Sequence, residues 1–258
     1  MGRSLVLIIA VIVEISISFS NDMKSDYEFE PLDDRTQMFR EIDQYTASSR
    51  RVPESPLIAR PLTLSERTGP IELPHKWSVG ALDLCRADDN GPRALGQLIS
   101  VSGRVTDEDG SPVSGVVMEL WQANAAGKYI HEMDDHIAPI DPNFVGQGRL
   151  VTDEDGSYQV FTIKPGAYPV LYSGWWWRPP HIHFSIVGSS WMNRFVTQIF
   201  FPGEPLNEKD LLLNGVPDKD VRERLIFEYT DTVMGDFSYI GYRRDFVLRG
   251  HRRTPEMA

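Results

Sequence analysis

The sequence predicts an all-β fold, a two-sheet antiparallel β-sandwich with an N-terminal arm and one or two short helices. Three observations carry this expectation. The hexapeptide Thr-Asp-Glu-Asp-Gly-Ser occurs at 106–111 and again at 152–157, each time between β-rich runs. Asp-Gly between such runs is a hairpin signal, because glycine accepts the positive φ of the second turn position. The run Pro179-Pro180-His181-Ile182-His183-Phe184 alternates polar and apolar residues as a strand with one buried face does. Short runs of this kind recur with turn signals roughly every 8–12 residues, the spacing of a sandwich.

The elements follow in chain order. In residues 1–22, Arg3 precedes an apolar run over 5–13 that Glu14 interrupts. The run is shorter than the roughly 20 apolar residues of a membrane span. It fits a signal-peptide core, with Ser18 and Ser20 as small residues near a cleavage point; it equally fits an N-terminal extension, or a start misassigned ahead of Met23. Residues 23–95 read as an arm, polar and turn-rich, with Pro53, Pro56, Pro61, Pro70 and Pro74 and a short helix over 33–45. Residues 96–250 read as the sandwich and 251–258 as a tail. Within the sandwich, Val221, Leu225, Ile226 and Tyr229 share one helical face, which predicts a helix over 218–229. A β-like run follows over 239–248.

Composition narrows the function. The 258 residues carry 26 Lys plus Arg against 37 Asp plus Glu, a net charge of −11, which argues against a basic nucleic-acid face. A hydrophobic share of 41% is enough for a folded core. The single cysteine, Cys85, rules out an intrachain disulfide and any multi-thiolate zinc or iron–sulfur site. The acidic hexapeptides do not make calcium loops. With Gly110 as the sixth residue, Val105 and Val116 would occupy ligand positions that need oxygen.

Alternation sends His181 and His183 to one face of a strand and Ile182 to the other, so two imidazoles can converge on one metal ion. Completing donors are available in Tyr129, His131, Asp134, Asp135 and His136. A carboxylate would give a two-His-one-carboxylate iron(II) centre, whereas tyrosines would favour ferric iron through hard phenolate oxygen. Composition and spacing leave both open.

Five ordered motifs carry a resemblance. They are the segments 119–129, 138–144 and 162–169, Arg178-Pro-Pro-His-Ile-His-Phe184, and Thr197-Gln-Ile-Phe-Phe-Pro-Gly203. Together, from about residue 65 to 254, the chain resembles the intradiol ring-cleavage dioxygenases. It is most similar to the β subunits of the branch that acts on protocatechuate. The resemblance implies non-haem Fe(3+) held by Tyr129, Tyr168, His181 and His183. It implies that Tyr168 leaves the metal as substrate binds, and that Arg178 stabilises anionic charge on the ring. Gln198 and Trp121 match positions lining the pocket, with Arg178 also contacting substrate. His75, His131, His136, His251 and Tyr172 are then not ligands.

The implied reaction opens a catechol between its two hydroxylated carbons with O2, taking protocatechuate to 3-carboxy-cis,cis-muconate in aromatic catabolism. A homologous α subunit lacking the iron ligands would line part of the pocket, and the protein would be cytoplasmic, or exported if residues 1–20 act as a signal. No nucleic acid and no stable membrane span are expected. The alternatives are a catechol or hydroxyquinol dioxygenase, or a non-catalytic transthyretin-like binding module, which the segment 103–113 also resembles. One departure stands out. Where close relatives have tryptophan two residues after the second tyrosine, this chain has Val170; of the run Trp175, Trp176 and Trp177, only Trp177 matches them.

Overall fold

The computed structural model describes residues 38, 41, 42, 45, 78–88, 90–170, 176–187, 194–235 and 237–248. The N-terminal 1–22 segment, most of the 33–45 helix, Trp175, Tyr172, His75 and His251 lie outside the described residues.

Thirteen described strands build the molecule. They are β1 (Ser78–Val79), β2 (Ala81–Asp83), β3 (Leu98–Thr106), β4 (Val117–Trp121), β5 (Gln147–Val151), β6 (Ser157–Ile163), β7 (Tyr168–Val170), β8 (Trp176–Arg178), β9 (His181–Val187), β10 (Phe195–Phe200), β11 (Glu228–Met234), β12 (Ser238–Arg243) and β13 (Phe246–Val247). One sheet runs β1-β5-β4-β9-β10; the other runs β11-β12-β3-β6-β2, with β13 also on β3. β7 and β8 form a separate two-stranded ribbon. The expected two-sheet sandwich is therefore present. Its long ladders β3–β6, β4–β5, β4–β9 and β9–β10 are antiparallel. Parallel pairing appears where chain from outside the central strands returns: β1 on β5, β2 on β6, and β12 and β13 on β3. Such pairs need long crossovers, which local sequence patterns do not reveal.

The core lies between the sheets. Alternate residues of β3 (Ile99, Val101, Val105), β4 (Met118, Leu120), β6 (Tyr158, Val160) and β9 (Ile182, Phe184, Ile186) fill it, all at most 2% exposed. The intervening residues of β9, among them His181 and His183, consequently lie on the outer face of the five-stranded sheet, as the alternation predicts.

Both hexapeptides form the same tight turn. Gly110 and Gly156 have φ of +83° and +70°. Asp107 Oδ1 accepts from Asp109 N and Ser111 N, and Asp153 Oδ1 from Asp155 N and Ser157 N. The first turn closes on an antiparallel bridge between Thr106 and Pro112, yet neither turn joins two strands of one sheet. The first carries the chain from β3 in one sheet to β4 in the other, the second from β5 back to β6.

The helix expected over 218–229 is shorter. α1 spans Lys219–Glu223, capped by the Asp218 side chain on Asp220 N and Val221 N, and it buries no residue. The chain then extends, because Phe200 claims it: Phe200 N donates to Leu225 O and Phe227 N to Phe200 O, both at 2.8 Å. Phe227 enters the core at 2% exposure, and β11 follows. The β-like run over 239–248 becomes β12 and β13.

Candidate metal centre

Three segments bring the site together. β9 supplies His181 and His183 on its outer face. Register places His183 between Trp121 on β4 and Gln198 on β10, and His181 beside Phe200. The Trp121 ring stacks on the His183 imidazole at 4.8 Å with 9° between planes, which fixes the ring's orientation.

Tyr129 follows the tight loop 124–128, in which Asn124 Oδ1 accepts from Ala126 N and Lys128 N. Gly127, at φ +79°, lets this loop lie directly against the backbone of Ala167, where any side chain would collide with the Ala167 carbonyl. That close approach seats Tyr129 beside Tyr168 of the ribbon, with ring centroids 5.3 Å apart and edge to face.

The four side chains converge. Tyr129 Oη lies 3.1 Å from His183 Nε2, and Tyr168 Oη lies 3.3 Å from His181 Nε2. The imidazole centroids are 4.9 Å apart. His181 Nδ1 lies 2.7 Å from Pro179 O, so Nδ1 carries the proton and Nε2 keeps a lone pair for the centre. Burial, reinforced by the Arg178 guanidinium and by His183, drives the His181 pKa well below its ordinary value. Burial and Arg178 drive that of His183 down to about 3. Both rings are therefore neutral donors at pH 7. Burial and the neighbouring Tyr168 push the Tyr129 phenol up, so a cation would be required to hold it as phenolate.

Two oxygens and two nitrogens in this arrangement suit a hard trivalent ion. Donors each about 2.1 Å from one cation, at angles between square and tetrahedral, stand about 3.0–3.4 Å apart, as these pairs do. Among the described residues, no group of three or more His, Cys, Asp and Glu could hold a metal ion. The carboxylate alternative accordingly finds no support. His131 and Asp135 are exposed. His136 Nδ1 lies 3.3 Å from Gly127 O, and its ring meets Trp177 edge to face. Asp134 is committed to the Tyr129 loop, accepting from Tyr129 N at 2.7 Å, His136 N at 2.8 Å and Lys128 Nζ at 3.3 Å. Burial would raise this carboxyl, but those donors outweigh it and hold it below the usual range.

Arg178 ends β8 at 4% exposure. Its Nη1 lies 3.4 Å from His181 Nε2, while Nε donates to Asp210 Oδ2 at 2.9 Å. Burial alone would depress the guanidinium, but Tyr168 and Asp210 outweigh it and hold its pKa above the ordinary value. Gln198 is half-buried, with its amide oxygen enclosed and unpartnered. Val170 stands opposite Trp176 across the ribbon.

The seven residues that the resemblance assigns to the site, Trp121, Tyr129, Tyr168, Arg178, His181, His183 and Gln198, thus lie at or beside one locus, whereas the other candidate donors do not join it. Sequence reasoning missed Asp210, Lys128 and the Pro179 carbonyl. Lys128 and Pro179 had a signal in their places inside the Ala-Gly-Lys-Tyr and Arg-Pro-Pro-His motifs; Asp210, 32 positions from its partner, had none.

A fold of this kind carrying such a cluster belongs to a recognisable class. A family model described as Dioxygenase matches residues 71–250. The chain belongs to the intradiol ring-cleavage dioxygenase family, and is therefore an enzyme rather than a non-catalytic binding module. It is 42% identical over 211 residues to the protocatechuate 3,4-dioxygenase β chain of Burkholderia cepacia, covering 82% of this chain and 89% of that one. It is 33% identical to the hydroxyquinol 1,2-dioxygenase of a Rhizobium species, over 52% of this chain; it spans only 45% of that relative's length. The crystal structure of 3-chlorocatechol 1,2-dioxygenase from Rhodococcus opacus shares the fold, with TM-score 0.52, 24% identity and 70% of each chain covered. Among the described residues, no helix is long and apolar enough to cross a membrane.

Proposed function

We propose that the chain is the iron-bearing subunit of a protocatechuate-cleaving enzyme, taking protocatechuate to 3-carboxy-cis,cis-muconate. The observation that carries this reading is the convergence of two phenol oxygens on two imidazole Nε2 atoms at 3.1 and 3.3 Å. The substrate assignment leans on the 42% identity to the protocatechuate enzyme's β chain.

Tyr129, Tyr168, His181 and His183 would hold Fe(3+), which would supply a Lewis-acidic, redox-active centre for opening a catechol ring with O2. The chain's residues do the rest. Pro179 O holds the proton on His181 Nδ1 and leaves the Nε2 lone pair free for a metal. Trp121 holds the plane of His183. Tyr168 sits on the short separate ribbon and would be the ligand that gives way to substrate. Arg178 offers Nη1 to oxygen on which charge develops, and burial strengthens that interaction. The Gln198 amide oxygen is free to accept from a substrate hydroxyl. A homologous α subunit completes the pocket around the substrate carboxylate, and the complex acts in the cytoplasm in aromatic catabolism. The sandwich unit over 96–250 and the arm over 23–95 are part of the same reading.

The test is turnover of the iron-loaded chain, alone and with a homologous α partner, on protocatechuate, catechol and hydroxyquinol, with product analysis. Protocatechuate cleavage between the hydroxylated carbons is expected. Cleavage of catechol or hydroxyquinol, with none of protocatechuate under any pairing, would overturn the substrate assignment and leave the ring chemistry intact.

A further inference from the structure

The Arg178–Asp210 pair is more than a structural tie. We propose that Asp210 is a positioning residue that converts Arg178 into a directed hydrogen-bond donor at the metal centre. This rests on reading Tyr129, Tyr168, His181 and His183 as that centre.

A guanidinium has five N–H groups in a fixed fork, and its long stem allows many rotamers. Asp210 takes one edge of the fork, Nε at 2.9 Å and Nη2 at 3.4 Å. Nη1, which Asp210 does not engage, faces the site, 3.4 Å from His181 Nε2. The grip is rigid because the carboxylate itself is fixed. Asp210 is fully buried, and its Oδ1 also accepts from Leu212 N at 3.0 Å and Leu213 N at 2.7 Å. The rings of Trp176 and Phe200 each lie 5.7 Å from Arg178 Cζ and restrict the guanidinium further.

Charge gives a second consequence. The buried pair is neutral overall, so Arg178 acts on the substrate through the direction of one N–H rather than as a free cation. Its contribution then falls on the step in which charge develops on a substrate oxygen near Nη1, and less on substrate capture. Asp210 touches neither substrate nor metal in this scheme; it acts through Arg178.

Asp210→Asn separates this role from a structural one. The Asn oxygen can still accept from Leu212 N and Leu213 N, while its NH2 meets Arg178 Nε donor to donor. In the iron-loaded full chain with its substrate-completing partner, kcat is expected to fall about 10- to 100-fold, the scale of a misaligned catalytic group. Iron per chain and the visible tyrosinate band stay at their native values, and KM changes much less than kcat. In an Arg178→Lys background, which has no fork to align, Asp210→Asn should cause no further loss. If the Asn variant fails to load iron, Asp210→Glu serves the same cycle. It keeps the charge and moves the carboxylate by one methylene, so kcat should again fall in the native background alone. Native kcat in either iron-loaded variant would overturn the inference, as would an equal loss in both backgrounds. A native chain that binds no iron and shows no colour would overturn the metal centre itself, and this inference with it.

Discussion

The proton on His181 Nδ1 is held by Pro179 O, and this one hydrogen bond decides which face of the ring meets the centre. His183 reaches the same locus by a different device, stacking on Trp121. On the proposed ligand set, removing either imidazole would leave three donors and an open edge. His183→Ala is therefore expected to lose iron and the red tyrosinate colour. His136→Ala, with its ring turned to Gly127 O and Trp177, should lose neither. Metal analysis and visible absorption read both variants, and the opposite pattern would discredit the ligand set. Cys85 shows the same logic away from the site. It is fully buried, and burial, the charge of Asp83 and a hydrogen bond to Asp83 push its thiol up to about 12. The folded value lies above the ordinary 9.0, so the thiol's contribution to stability is complete below pH 9 and is lost as pH rises towards 12. Urea midpoints measured across that range should decline, and Cys85→Ala should decline less steeply.

Among the elements, the loop of Gly127 and the first hexapeptide turn make a controlled pair. Both glycines have positive φ, +79° and +83°, so alanine at either costs about 1–2 kcal/mol in backbone strain. Beyond that, the two sites differ. A Cβ at Gly110 meets nothing within 4 Å, whereas at Gly127 it strikes the Ala167 carbonyl next to Tyr168. Gly127→Ala should therefore cost more than Gly110→Ala in urea unfolding, and it alone should lower iron content by separating Tyr129 from Tyr168. These elements also mark what a one-dimensional pattern holds. The period of two in β9 sufficed to put Ile182 in the core and both histidines outside, because it is a local property of one strand. The hexapeptides announced their turns for the same reason, through Asp and Gly acting on their own backbone. They carried no information on which sheet each flanking strand joins. Residues 218–229 misled because Val221, Leu225, Ile226 and Tyr229 fit a helical face equally well. The deciding partner, Phe200, is distant in sequence. Asp210 was invisible likewise, since a buried ion pair has no periodicity.

Across the whole molecule, fold and site share one wall. β9 packs Phe184 against Tyr158, Phe227 and Phe246 on its inner side and presents both histidines on its outer side. The four proposed ligands come from separate pieces: β9 in the five-stranded sheet, the loop after β4, and the ribbon β7–β8, which is a sheet of its own. An ion bound by them would tie the ribbon and the loop to the sandwich. Any ligand held only by the folded chain adds stability, about 2.7 kcal/mol at a hundredfold excess over Kd. For a domain near this size, each kcal/mol moves Tm by roughly 2–4 °C. Stripping iron with a chelator should thus lower Tm by about 5–10 °C, measured by calorimetry, and His183→Ala should show no such difference. The loss should also be uneven in space. The β3–β6 ladder lies in the other sheet and carries none of the four side chains. Hydrogen exchange on chelation should accelerate at 168–170 and 176–178 and leave 98–106 unchanged, because the ribbon loses its anchor to the sheet while the core keeps every contact. Uniform acceleration throughout the chain would mean instead that the ion holds up the fold as a whole.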